Sequence, residues 1–228
     1  MILPTTAKEK EFQKKGFEVI IGVDEVGRGP LAGPVVAGAA WVNPEILEKD
    51  FELRDLIRDS KMLSEIQRGK IHKFINNNKN FILGIGEVSV ETIDKINILN
   101  ASLLAMRLAV DEVVEQIKNR DLSADEIGLK VENPKICVLI DGNKNIQNLD
   151  LEQKLFAKGD QRIFSIATAS IQAKVYRDKL MMEYHQKYPK YGFDKHKGYG
   201  TKFHIDQLNK IGACEIHRSS FAPVRKVL

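Results

Sequence analysis

The sequence predicts one α/β domain built on a mixed sheet, on three observations. Short, nearly continuous apolar runs stand at 19–23 and 136–140, both ending in carboxylates. Long stretches with apolar residues at three- and four-residue steps are interspersed with them and then follow. The 228 residues, 43% hydrophobic and 29% charged, are enough for one substantial core without disulfides, which excludes a disordered, collagenous or fibrous chain. No run approaches the roughly 18 apolar residues of a membrane span. The polar, basic opening MILPTTAKEKEFQKKGF lacks a signal peptide's apolar core, so a cytoplasmic protein is expected.

The first strand covers 19–23 and ends in Asp24 and Glu25, followed by the loop Gly27-Arg28-Gly29-Pro30-Leu31-Ala32-Gly33-Pro34 and a second apolar run at 35–42. Ser64 and Gln67 form the S-x-x-Q signature of a helix start, with the helix running to the asparagines near 76. A strand is expected over 81–90. Ile93, Ile96, Leu99, Leu103, Met106 and Val110 then mark the clearest amphipathic helix, at 91–118. Residues 119–135 read as a long polar connection before the strand at 136–140. Helices over 166–187 and 201–211, the latter closed by Gly212, complete the outline. Cys137 and Cys214 have no metal-ligand spacing and read as reduced thiols.

Two strands ending in Asp24 and Asp141 place carboxylates where an unpaired charge must neutralise or find a cation. If the strands are neighbours, their ends meet and make an oxygen-rich site for a hard divalent cation. The alternative is that each aspartate caps the next turn. On a regular strand Glu25 faces away from Asp24, and it reaches the same cluster only through a bend or its backbone carbonyl. The loop after it reads G-x-G-x-x-x-G, one residue too long for the dinucleotide fingerprint, and no G-K-[ST] follows.

Charge is unevenly spread. Residues 172–228 hold 12 Lys and Arg against 5 Asp and Glu, with all five tyrosines and four of five histidines. Cations interleaved with rings suit a polyanion, the alternative being a solvated helical face.

At the level of motifs, GVDEVGRGPLAGPVVAGA at 22–39 resembles the opening signature of type 2 ribonuclease H, the bacterial ribonuclease HII family. The resemblance continues in family order through DSKMLSE (59–65), INILNASLLAMRLAV (96–110), LIDGN (139–143), KGD (158–160), SIATASIQAKVYRD (165–178), KHKGYGTKFH (195–204) and IHRSSFAPV (216–224). It implies a ribonuclease H-like mixed sheet flanked by helices, with residues 1–188 as catalytic domain and 189–228 as a C-terminal helical substrate-binding appendage. It implies an enzyme that hydrolyses the RNA strand of RNA·DNA hybrids and incises duplex DNA at single ribonucleotides; a monomer without membrane attachment is expected.

Carried over by motif, the catalytic and metal-binding acids fall on Asp24, Glu25, Asp141 and Asp160. The last of these has no signal apart from the resemblance. The junction-reading loop falls on Gly27, Arg28 and Gly29, and the sugar-stacking tyrosine on Tyr199. Lys195 and Lys197 stand beside it as candidate phosphate contacts. Two Mg²⁺ or Mn²⁺ ions roughly 4 Å apart would flank the scissile phosphate and leave 5′-phosphate and 3′-hydroxyl ends. Asp178, in the YRD motif, is instead expected in a helix-surface ion pair with Arg177 or Lys174. Val26 replaces the family's usual alanine, and Gln172 interrupts an apolar helix stretch. Two rival classes are a non-catalytic nucleic-acid-binding module and a sugar-phosphate or nucleotide phosphotransferase on the same fold.

Overall fold

A computed structural model describes residues 3–43, 57, 60, 63–119 and 133–228. Most of the 119–135 connection and part of the DSKMLSE motif lie outside the described residues.

Five strands form one mixed sheet: β1 (Val19–Val26), β2 (Val35–Val42), β3 (Phe81–Val88), β4 (Ile136–Asp141) and β5 (Glu152–Phe156), in the order β3-β2-β1-β4-β5. β1 lies antiparallel to β2 and parallel to β4, and β4 is parallel to β5. β1 runs on through Val26, so Asp24 and Glu25 sit within the strand rather than after it.

Helices cover both faces, as the nearly unbroken apolar runs of β1 and β4 require. On one face lies α3 (Val90–Lys118), which follows α1 (Ala7–Lys14) and α2 (Glu65–Asn76). Ala105, Met106 and Val110 of α3 share a core with Val19, Ile21, Val23, Val138 and Ile140. On the other face lies α4 (Phe164–Lys187), where Ile166 packs with Ile20, Cys137 and Leu139. A side chain at Gly22 would overlap the backbone of Ser165 and Ile166, so this glycine lets α4 approach the sheet closely. Alternation along β1 and β4 therefore assigns Asp24 and Asp141 to the α4 face and Glu25 to the α3 face.

Local signals held where a side chain satisfies the backbone. Ser64 Oγ accepts from Gln67 N at 3.2 Å, and Gln67 Oε1 accepts from Ser64 N at 2.8 Å, closing the capping box that starts α2. Asn97 breaks α3 with φ 66° and ψ 164°, and its Oδ1 accepts from Leu99 N and Asn100 N, restarting the helix. Gln172, inside the apolar stretch of α4, accepts from Asn76 Nδ2 at 3.1 Å.

After α4 come α5 (Phe193–His196), α6 (Lys202–Ile211) and α7 (Ala222–Arg225). Tyr191, Phe193, Leu208, Ile216 and Val224 build a small core here with Met181 of α4 and with Leu31 and Ala32 of the loop after β1. Asp94 near the start of α3 accepts from the backbone and hydroxyls of Ser219 and Ser220 at 2.5–2.9 Å, tying down the C-terminal segment. Two of the four histidines expected on a polyanion-binding surface are interior: His204 and His217 are buried, meeting each other through Nε2 and satisfied on their outer nitrogens by Tyr199 O and Cys214 N.

Candidate active site

Val23 pairs with Ile140 across the parallel ladder, and Asp24 and Asp141 come one residue later on each strand, on the same face. Asp160, in the 3₁₀ turn Gly159–Gln161 that leads into α4, joins them. One carboxylate oxygen from each of Asp24, Asp141 and Asp160 lies within 4.8 Å of the others. Gly159 N donates to Asp141 Oδ1 at 2.6 Å, so the turn that carries Asp160 is fastened to its neighbouring acid. Asp24 and Asp160 are both buried.

Such a group is electrostatically frustrated without a cation. Burial pushes the Asp24 carboxyl well above the usual carboxylate range, and the charges of Glu25, Asp141 and Asp160 push it the same way, with the Ser170 hydroxyl opposing. An all-oxygen, multiply anionic donor set of this kind fits a hard divalent ion. Glu25, on the opposite strand face, is outside the three-acid group. Its Oε1 meets Arg28 Nη1 at 3.0 Å, and burial raises its pKa while Arg28 lowers it. A cavity of about 220 Å³ nevertheless joins Glu25 and Arg28 to Asp141, Asn143 and Lys144, over a floor that includes Leu99, Leu103 and Met106.

Two buried guanidinium groups shape the loop after β1. Arg218 donates from Nη2 to Gly27 O at 2.6 Å and Gly33 O at 2.8 Å, and from Nη1 to Arg28 O at 3.1 Å. Arg177 donates to Ala32 O, Pro34 O and Lys197 O at 2.9–3.1 Å. Burial pushes Arg218 down to about 9, with the Arg177 charge acting in the same direction, so at neutral pH both remain charged and are held by carbonyl oxygens. Leu31 N donates to Gly198 O at 2.8 Å, and Arg218 N to Leu31 O at 2.9 Å, knitting the loop to the C-terminal segment. The result sets Tyr199, an exposed residue, against Gly29: a side chain added at Gly29 would stand 3.5 Å from the Tyr199 ring.

The chain matches the family model described as Ribonuclease HII over residues 21–224. Among curated relatives, the Chlamydia caviae ribonuclease HII is 46% identical over 232 residues, covering 100% of this chain and 95% of its own length. The Fusobacterium nucleatum ribonuclease HII is 46% identical over 213 residues, covering 93% and 88%. This chain belongs to the ribonuclease HII family.

Solved structures agree on the fold. The ribonuclease H2 from Pyrococcus horikoshii superposes with a TM-score of 0.63 at 23% identity, covering 92% of this chain and 96% of the other. Bst-RNase HIII in complex with Mn²⁺ superposes at 0.70 with 17% identity, covering 94% and 70%. As a ribonuclease HII, the protein is a metal-dependent endoribonuclease, and Asp24, Asp141 and Asp160 form an acidic group that could hold a metal ion.

Other residues singled out in the ribonuclease HII sequence fall as follows. Asp178 is paired with Lys174 Nζ at 2.7 Å and Arg68 Nη2 at 3.7 Å, but it is buried rather than on the helix surface, and Arg177 turns away to the loop carbonyls. Lys195 is exposed, while Lys197 Nζ folds back on Asp194 O at 2.5 Å and Met182 Sδ at 3.2 Å. Sequence reasoning gave no loop-holding role to Arg218 or Arg177. An arginine is by default a surface residue, and only its place inside a motif hinted otherwise.

Proposed function

We propose that this ribonuclease HII hydrolyses the RNA strand of RNA·DNA hybrids and incises duplex DNA at single embedded ribonucleotides, leaving 5′-phosphate and 3′-hydroxyl ends. The observation that carries the reading is the shared cavity in which Asp141, of the metal-binding group, faces Arg28, of the loop that meets Tyr199. A phosphate drawn to that guanidinium is thereby delivered beside the carboxylates.

Asp24, Asp141 and Asp160 would hold divalent ions, Mg²⁺ or Mn²⁺, with Glu25 at the cavity edge as the fourth acid. The Mn²⁺ complex of Bst-RNase HIII, which shares the fold, supports that choice. When bound, such ions supply Lewis acidity for water activation and for the charge on the leaving oxygen. The chain's own residues supply selection. Exposed backbone at Gly29 offers polar groups to the 2′-hydroxyl, the group that distinguishes RNA from DNA at every position. The Tyr199 ring, resting on Gly29, presents a flat face to the adjoining sugar. Lys195 contacts phosphate from the exposed rim, and Lys197 joins it once its bond to Asp194 O is exchanged.

The test compares a long hybrid, a duplex with one ribonucleotide and an all-DNA duplex, each with Mg²⁺ or Mn²⁺. Cleavage of the first two with 5′-phosphate products, and none of the third, is the expected result. Cleavage indifferent to the 2′-hydroxyl would overturn the reading.

A further inference from the structure

Three of the four C-terminal histidines take no part in the reaction proposed above, yet they form one cluster that reaches the backbone of Tyr199 through His204. His204 Nδ1 lies 2.9 Å from Tyr199 O, which also accepts from Thr201 N at 2.8 Å, and His204 Nε2 lies 3.0 Å from His217 Nε2. On the far side of that second ring, Cys214 N donates to His217 Nδ1 at 3.0 Å, with Cys214 Sγ 3.1 Å from the same nitrogen. His196 stacks on His204 at 4.4 Å between centroids, and its Nδ1 accepts from Gly198 N at 3.2 Å.

These contacts fix the protons. A backbone amide only donates, so His217 Nδ1 is an acceptor and its proton is on Nε2. That proton is given to His204 Nε2, which leaves the His204 proton on Nδ1, aimed at Tyr199 O. Both rings are neutral, as burial favours, with pKa values lowered to about 4. The thiol and His204 face opposite nitrogens of His217, so the three groups do not converge on a point where an ion would sit.

We propose that His204 and His217 are positioning residues: a one-directional chain of neutral imidazoles that, together with Thr201 N, holds the Tyr199 carbonyl, and through it the angle of the Tyr199 ring against Gly29. Tyr199 is 44% exposed and outside the core, so the orientation of its ring is carried by its backbone. Hydrogen bonds of this kind are directional, and a buried chain of them stiffens as a unit. A lone ribonucleotide offers the enzyme one register, whereas a long hybrid offers many. Loss of the chain therefore weakens incision at the lone ribonucleotide first. The proposal rests on the reading that Tyr199 stacks on substrate.

The experiment is a double-mutant cycle, with kcat and KM measured on the single-ribonucleotide duplex and on a long hybrid. His217→Leu is expected to lower kcat on the single ribonucleotide about tenfold or more, as a misplaced contact does, with the long hybrid changed less than about threefold. His217→Gln, whose amide donates to His204 Nε2, restores most of the loss. In a Tyr199→Ala background His217→Leu adds nothing further.

An undiminished His217→Leu loss in the Tyr199→Ala background, equal losses on both substrates, or no rescue by glutamine would overturn the relay while leaving the stacking reading intact. A Tyr199→Ala variant with wild-type discrimination would instead sink the stacking reading, and the relay with it. Thermal melts accompany each variant. Should His217→Leu fail to fold, His204→Asn and His204→Gln carry the test, since asparagine reproduces the Nδ1 donor and glutamine does not. The account requires asparagine to keep the single-ribonucleotide preference and glutamine to lose it; identical behaviour contradicts it.

Discussion

Asp24 and Asp141 follow the paired residues Val23 and Ile140 on neighbouring parallel strands and share the face covered by α4, so two buried strands deliver their carboxylates to one place. The backbone, rather than side-chain rotamers, brings them together. Asn at either position keeps the shape but removes a ligand charge. Asp24→Asn or Asp141→Asn is expected to abolish cleavage while duplex binding stays within about tenfold, because phosphate contacts are elsewhere. Asp160→Asn should be severe and Asp178→Asn mild, since Asp178 serves Lys174 and Arg68. Steady-state cleavage rates in Mg²⁺ check the order, and its reversal would show that Asp160 is wrongly placed among the acids.

The same crowding destabilises the metal-free fold. Asp141→Asn keeps an oxygen for Gly159 N and removes one repelling charge, so it should raise stability in chelator by about 1 kcal/mol. Divalent metal binds the folded form and raises the wild-type melting temperature by mass action. The variant should gain much less. Melts of both proteins with chelator and with Mn²⁺ read all four values.

Gly27 and Gly29 should separate folding from recognition. Gly27 has φ +94°, and a side chain there collides with the Arg177 guanidinium, so Gly27→Ala should lower the melting temperature markedly. At Gly29 an added methyl meets the Tyr199 ring at ordinary contact distance, so Gly29→Ala should fold normally and lose cleavage by obstructing backbone approach to substrate. Circular dichroism melts beside single-turnover rates distinguish the two.

Arg218 binds the carbonyls of Gly27, Arg28 and Gly33 at once, and lysine lacks the fork to replace it. Arg218→Lys should destabilise by about 3 kcal/mol, the scale of losing charged hydrogen bonds and stranding their buried acceptors. Urea unfolding measures it.

The buried histidines give the fold an acid-side weakness. With pKa values depressed from the usual 6.5 or so to about 4, chiefly by burial, His204 and His217 take up protons mainly on unfolding. The unfolded chain then binds more protons between these values, and stability falls as pH drops from about 6.5 toward 4. Replacing one titrating ring by His217→Gln should flatten that fall, which melts at pH 7 and pH 5 would reveal.

Most strands and helices were legible because they are unbroken apolar runs or carry a clean period or cap, as in the run ending at Asp24 and the S-x-x-Q start of α2. β5, EQKLF at a partly exposed sheet edge, carries no such pattern and was missed. Asp24 and Asp141 announced themselves as charges ending apolar strands. Asp160 did not, because it sits in a one-turn helix whose place depends on Gly159 and Asp141, and only its motif located it. The opposite-face position of Glu25 followed from strand period. The interior placement of the histidines did not, since nothing in a basic, ring-rich tail says which rings face inward.

Calorimetric titration of Mn²⁺ into the wild type and into Asp24→Asn, Asp160→Asn and Asp178→Asn tests most directly that Asp24, Asp141 and Asp160 form the metal centre. Binding should weaken at least tenfold in the first two variants and stay at wild-type strength in Asp178→Asn. Wild-type affinity in Asp24→Asn would contradict the account.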